Sequence, residues 1–128
     1  MPLNWLDLAW AVGVSDLSPV RGMPLEYLNL TALAVSDLSL LADVKSLRWL
    51  VLDDMPVSDL TPLRGLRLRK LSLKGIRATD LGPIKGLPLK GLRLDYDADR
   101  EELVRSFKGL ELINEKPAAE FWKDVGEK

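Results

Sequence analysis

The chain holds no cysteine and no histidine. Without cysteine, neither a disulfide framework nor a thiolate metal site can hold the fold, which fits a reducing, cytoplasmic setting. Without histidine, the commonest general base, zinc ligand and near-neutral pH switch are all missing. Carboxylates and lysine are the acid–base groups that remain, and no enzyme activity, no cofactor and no metal is expected. An excess of one charge sign is lacking as well: 18 Lys and Arg stand against 19 Asp and Glu, for a net charge of −1. No overall basic field selects nucleic acid as a partner, and no polybasic face selects a membrane. No apolar run approaches the roughly 20 residues that a membrane span requires. The opening MPLNWLDLAW lacks the basic head and small-residue cleavage site of a secretory signal. With 128 residues the chain is long enough for one domain with a sizeable core.

Leucine is what the chain has in abundance, and it comes with a beat. The units LNWLDL, LEYLNL, LRWLVL, LRKLSL and LKGLRL open at Leu3, Leu25, Leu47, Leu68 and Leu89, returning every 21 or 22 residues. Asp16, Asp37, Asp59 and Asp80, each followed by leucine, keep the same period. Copies in such register are a structural period. In a short strand, alternate residues face opposite sides, so Leu28 and Leu30 point one way while Tyr27, Asn29 and Thr31 point the other. One copy cannot bury its leucines alone, but copies stacked as a parallel sheet form a continuous column of them. Each inward leucine contributes roughly 1.5–3 kcal/mol when fully buried.

Between units the chain must turn back within a few residues. Ser18-Pro19 and Thr61-Pro62 suit the start of a helical turn, Pro83 repeats the pattern, and Gly22, Gly65 and Gly86 suit its end with positive φ. So short a return allows a 3-10 turn or a single helical turn. The aspartates of the Asp-Leu pairs are read as acceptors of backbone N–H bonds in this turn rather than as metal or acid groups.

These L-x-x-L-x-L units resemble the leucine-rich repeat family, in its short bacterial type similar to internalin-like repeats. The phrases VSDLSP and RGMPLEYLNL and the tail INEKPAAEFWKDV are similar to leucine-rich repeat proteins of planctomycete-type bacteria, in which such repeats often accompany Ser/Thr kinase domains. The resemblance covers nearly the whole chain. It implies an α/β solenoid: a horseshoe with a parallel sheet of about five or six short strands on its concave face. Short 3-10 turns would form the convex face, and a helical cap the C-terminal end. The family usually places Asn or Thr three residues beyond the last strand leucine, as a hydrogen-bonded ladder. Here those positions hold Ala11, Leu33, Met55 and Ile76. A less regular corner is therefore expected, with its backbone groups partnered elsewhere.

The two ends differ. Residues 1–94 read as repeats and 95–128 as a capping segment with two short helices. Asp97 or Asp99 can cap a helix through ADREELVRSFK, with Leu103, Val104 and Phe107 on one face and Gly109 at its end. LELIN offers a last extended piece, and PAAEFWKDV starts a second helix with proline. Phe121 and Trp122 are placed to cover the last rung rather than to box a cofactor. At the other end only two residues precede Leu3, which leaves the first strand bare. A bare edge invites pairing with another chain. Three readings fit: a longer parent chain, local cover by Trp5, Trp10 and Val12, or a homodimer through this N-terminal edge, which is the preferred expectation.

Outward strand positions align into columns on the concave face. The first reads Trp5, Tyr27, Trp49, Lys70, Gly91; the second Asp7, Asn29, Val51, Ser72, Arg93; the third Ala9, Thr31, Asp53, Lys74, Asp95. Large aromatics on an open face dominate protein-binding hot spots. Stacked on neighbouring strands they also stabilise a sheet by about 0.2–1 kcal/mol per pair, so a purely structural reading uses the same chemistry. Lys70 and Arg93, with Arg69 and Lys90 beside them, should make the C-terminal half basic. Asp53 and Asp95 are expected to be solvated and lie two strands apart, roughly 9–10 Å, which does not make an acid–base pair. The sequence thus points to a non-catalytic protein–protein interaction module. Its candidate binding residues are Trp5, Asp7, Tyr27, Asn29, Trp49, Val51, Asp53, Lys70, Ser72 and Arg93, and its partner is a protein. The alternatives are a regulatory or targeting segment of a bacterial Ser/Thr kinase signalling protein, and a scaffold repeat protein without a natural ligand.

Overall fold

The computed structural model describes residues 4–11, 17–76, 80–96 and 98–125. The leucine beat becomes a stack of three-residue strands: β1 (Trp5–Asp7), β2 (Tyr27–Asn29), β3 (Trp49–Val51), β4 (Lys70–Ser72) and β5 (Gly91–Arg93). Each pairs in parallel with the next, and the register puts Leu6, Leu28, Leu50, Leu71 and Leu92 in one row. From Leu25 to Leu94 the inward leucines of these units are at most 3 % exposed, so each rung is sealed by its neighbours. Leu6 and Leu8, on the first rung, are half-buried. Leu3, Val12 and Asp16 lie outside the described residues.

The return path runs through 3-10 turns at Ser18–Val20, Ser39–Asp43, Thr61–Leu63 and Gly82–Ile84. Proline stands second in three of them, at Pro19, Pro62 and Pro83, where its fixed φ and missing N–H do no harm. Gly22, Gly65 and Gly86 then reverse the chain at φ of 87°, 90° and 93°. The caps differ from the expected ones. Ser18 and Thr61 are the first residues inside their turns, and the leucine before each supplies no side-chain bond. The aspartate two residues earlier acts instead: Asp37, Asp59 and Asp80 accept the backbone N–H of Ser39, Thr61 and Gly82 at 2.9 Å each.

The corner after each of the first four strands is regular, contrary to the expectation drawn from its missing Asn ladder. Trp10, Ala32, Asp54 and Gly75 all take the left-handed conformation, at φ of 63°, 63°, 57° and 76°. In that geometry Trp10, Ala32 and Asp54 donate their N–H groups to the carbonyls of Thr31, Asp53 and Lys74 at 2.8–2.9 Å. The backbone itself thereby builds the ladder that side-chain amides would have built. Beneath it Leu33 and Met55 are buried, which is where the apolar substitutions went.

The tail closes the stack by extending the sheet. A 3-10 turn at Ala98–Arg100 leads into α1 (Glu101–Arg105), which buries Val104; Phe107, just beyond it, is buried too. Asp97 lies outside the described residues, and Asp99 sits within the 3-10 turn rather than capping α1. The helix stops at Arg105, where the Ser106 N–H turns back to the Glu102 and Leu103 carbonyls, well before Gly109. β6 (Leu112–Ile113) pairs parallel to β5, and a turn through Asn114 and Glu115 returns antiparallel β7 (Lys116–Pro117). Among the described residues six strands pair in parallel, within the expected five or six, and LELINEKP adds an antiparallel seventh because it makes a hairpin rather than a lone strand. α2 (Ala118–Val125) follows Pro117 directly. From it Phe121 enters the core, and Phe121 and Trp122 meet Tyr96 edge-on at 5.1 and 5.8 Å. Among the described residues no helix is long and apolar enough to cross a membrane.

Two predictions follow from this packing. Leu50 has no exposed surface and cannot be replaced by collapse of so regular a stack. Leu50→Ala should therefore cost about 2–5 kcal/mol in urea unfolding. The carboxyls of Asp37 and Asp59 are both held below their ordinary value of 3.8, Asp37 chiefly by the Ser39 backbone N–H and Asp59 chiefly by the Thr61 side chain. A lowered folded value means that the unfolded chain binds more protons, so the stability these caps contribute is present above 3.8 and fades as pH falls through the folded values. Thermal melts of Asp37→Ala/Asp59→Ala should show a lower Tm at neutral pH and a shallower acid limb than the parent.

Candidate binding surface on the concave sheet

Because the strands pair without slippage, the first column forms as expected: Trp5, Tyr27, Trp49, Lys70 and Gly91 stand side by side. The Trp5 and Tyr27 rings stack at 5.1 Å and 15°. Tyr27 meets Trp49 edge-on at 4.7 Å, and Lys70 lays its ammonium 4.6 Å from the Trp49 ring centre. Each aromatic contact contributes about 0.5–1.5 kcal/mol beyond its buried area, so the row holds its own shape. It is nevertheless open, with Trp5 55 % and Trp49 42 % exposed.

Most polar members of the second column are turned toward the corner. Asp7 accepts the Ala9 N–H at 2.9 Å, and Asn29 accepts both the N–H and the hydroxyl of Thr31. Val51 is half-buried. Ser72 is buried and donates its hydroxyl to Asp53 at 2.6 Å. Here the third column departs from an outward row at Asp53, while Asp95 stays exposed as expected. The strand ends at Val51, the left-handed corner draws Asp53 inward, and only 9 % of it stays exposed instead of the expected solvated carboxylate. Asp53 also accepts the Lys74 N–H at 3.0 Å, so it serves the corner ladder. Arg93 lies 3.7 Å from Asp53 and 3.4 Å from Glu115, which offsets the charge expected to make this half of the hollow basic.

Gly91 ends the aromatic–cationic row without a side chain, and a hollow of about 410 Å³ opens there. Val51, Ser72 and Gly91 contribute to its lining, together with Trp49 and Lys70 from one side and Leu112, Arg93 and Glu115 from the other. That volume suits one large side chain of a partner, with an apolar wall at Leu112 and a polar end at Asp53, Arg93 and Glu115. Leu112 and Glu115 were absent from the sequence-derived set. Their signal was present, since Leu110 follows Leu89 at the same 21-residue step and places Leu112 beside Gly91. Trp5 and Tyr27 sit in the same column but outside this lining, and Asp7 is at the far end of its row. Among the described residues no group of His, Cys, Asp and Glu is arranged to hold a metal ion.

No protein-family model and no curated protein sequence matches the chain. Among solved structures it is similar to internalin C2 from Listeria monocytogenes, with a TM-score of 0.72 and 24 % sequence identity. The match covers 87 % of this chain and 50 % of that one, so the chain spans about half the length of the solved structure. The likeness is one of fold.

Asp53 is the testable centre of this surface. Asp53→Ala leaves the Ser72 hydroxyl and the Lys74 N–H without their acceptor and should cost about 1–3 kcal/mol in urea unfolding. Asp53→Asn keeps an acceptor oxygen and should lose less.

Proposed function

We propose that this chain, a leucine-rich repeat solenoid by its fold, is a non-catalytic module that captures a protein partner on its concave face. Trp5, Tyr27 and Trp49 are the anchors, and the hollow over Gly91 receives a partner side chain. One observation carries the reading: an aromatic row that is rigid through its own contacts, yet is 42–55 % exposed at both tryptophans, runs up to an open hollow. Preformed aromatic anchors lose little freedom on binding, which is what hot spots require. Within the module residues 1–94 carry most of the surface, and 95–128 close the C-terminal end while lending Leu112 and Glu115 to the hollow. The finer form, a regulatory or targeting segment of a bacterial Ser/Thr kinase system in the cytoplasm, is supported by the phrases VSDLSP and INEKPAAEFWKDV and by the lack of cysteine.

The test is a displayed peptide library selected on the parent chain, followed by affinity measurements on Trp49→Ser and Gly91→Trp. The first removes an anchor and the second fills the hollow, where a Cβ alone would meet Lys70 at an ordinary 3.5 Å. Each should weaken the selected peptides by about tenfold or more, while Trp49→Ser lowers Tm only by the several degrees that its contacts with Tyr27 and Lys70 account for. Selected peptides indifferent to both substitutions, or a Trp49→Ser chain that melts far below the parent, would return the aromatic row to a structural role.

A second reading concerns the other end of the sheet. Among the described residues no strand lies beyond β1, where Trp5 is 55 % and Trp10 69 % exposed. Trp10 also holds φ of 63°, a costly conformation for a bulky residue on an open surface. We propose that this edge pairs with a second copy of the chain. Light scattering should show a dimer fraction that rises with concentration, and Trp10→Asn, which tolerates the left-handed turn, should lower it. A monomer at every concentration removes this reading.

A further inference from the structure

Just before each strand the chain crosses the rim of the solenoid, and there Glu26, Arg48, Arg69, Lys90 and Glu111 form a column of their own. Backbone bonds hold it in register: the N–H of Arg48, Arg69, Lys90 and Glu111 donates to the carbonyl of the preceding member at 2.7–2.9 Å. Its charges read acid, base, base, base, acid. Like charges on adjacent strands repel, and alternation would have been the more stable arrangement. Among the described residues none of the three cations has a carboxylate partner. Arg48 donates to the carbonyls of Lys45 and Leu47, which keeps its guanidinium on the rim.

The surroundings extend the same sign. Segments 64–69 (RGLRLR) and 85–90 (KGLPLK) contain no acidic residue, and Arg64, Arg67 and Lys85 are exposed. Asp54, Asp59, Asp80 and Asp95 lie on the far side of the strands or in the returns. Lys74 stands among them, so the far side is mixed in sign, whereas the rim from Arg48 to Lys90 is uniformly cationic. Beside Lys90 a hollow of about 340 Å³ is lined in part by Leu87, Pro88, Phe107 and Lys108, giving the cationic rim an apolar seat.

We propose that this rim docks a short acidic peptide segment of a partner protein, laid across the repeats from Arg48 to Lys90. Two strand spacings cover roughly 10 Å, the length of about three extended peptide residues. Glu26 and Glu111 bracket the run one strand further on each side. A longer polyanion such as a nucleic acid would have to cross one of these carboxylates, whereas a short carboxylate-bearing segment fits between them. An apolar side chain next to the acidic residues enters the hollow at Leu87 and Phe107. The assignment rests on the interaction-module reading for its class of partner, but the two surfaces can be tested apart.

The probe is a labelled peptide of a few glutamates followed by one leucine, with an oligothymidylate as rival, both followed by fluorescence anisotropy. The glutamate peptide should bind more tightly than the oligothymidylate and weaken as salt rises. Arg69→Gln should reduce its affinity about two- to fivefold, and Arg48→Gln/Arg69→Gln/Lys90→Gln should abolish binding. Trp49→Ser should leave it unchanged; loss there would move the acidic segment to the concave face and overturn the rim assignment. At low salt Arg69→Glu should raise Tm by about 1–4 °C, because it restores alternation. A fall in Tm, tighter binding of the oligothymidylate, or equal binding by the triple variant would each overturn the inference.

Discussion

Burial of the strand leucines against the next rung is the interaction on which everything else in this molecule depends. A three-residue strand is too short to be stable alone, and its leucines have no partner within their own repeat. They become buried only when the neighbouring copy brings its own, as the near-complete burial from Leu25 to Leu94 shows. Stability is therefore local between rungs and cumulative along the stack. It also dictates register, because a one-residue slip would turn the leucines out and the tryptophans in. The outward columns inherit that register. Trp5, Tyr27 and Trp49 meet because Leu6, Leu28 and Leu50 do.

The corner after each strand adds a second constraint. The first four rungs bend through a left-handed residue, three of them without glycine. The cost of such a conformation is offset by a backbone bond to the next rung and by buried Leu33 and Met55 below it. This geometry decides which polar residues are available for recognition. It turns Asp7 and Asn29 onto the corner amides and draws Asp53 into the interior with Ser72. The hollow consequently offers Arg93 and Glu115 as its polar end, rather than an open aspartate.

Periodicity made the rungs, their register and the proline–glycine returns legible in the sequence, because period-two burial and φ restrictions are properties of single residues. The corner was less legible. Its regularity comes from backbone dihedrals that Ala32 and Trp10 do not advertise. The burial of Asp53 was hidden for the same reason, since it depends on where a strand stops. The last strand was half visible: LELIN reads as extended, while the hairpin needs positive φ at both Asn114, which favours it, and Glu115, which does not advertise it. Leu112 and Glu115 were missed because a tail read as a cap was not expected to contribute to the surface it closes.

Three cations at the entry of successive strands give one rim a positive patch in a molecule of net charge −1. A body with almost no net charge still experiences torque in the field of a charged neighbour. Over roughly a Debye length, about 10 Å at 0.1 M salt, that torque turns it before any surfaces touch. Orientation during encounter is thus set by the same repeat that sets the core.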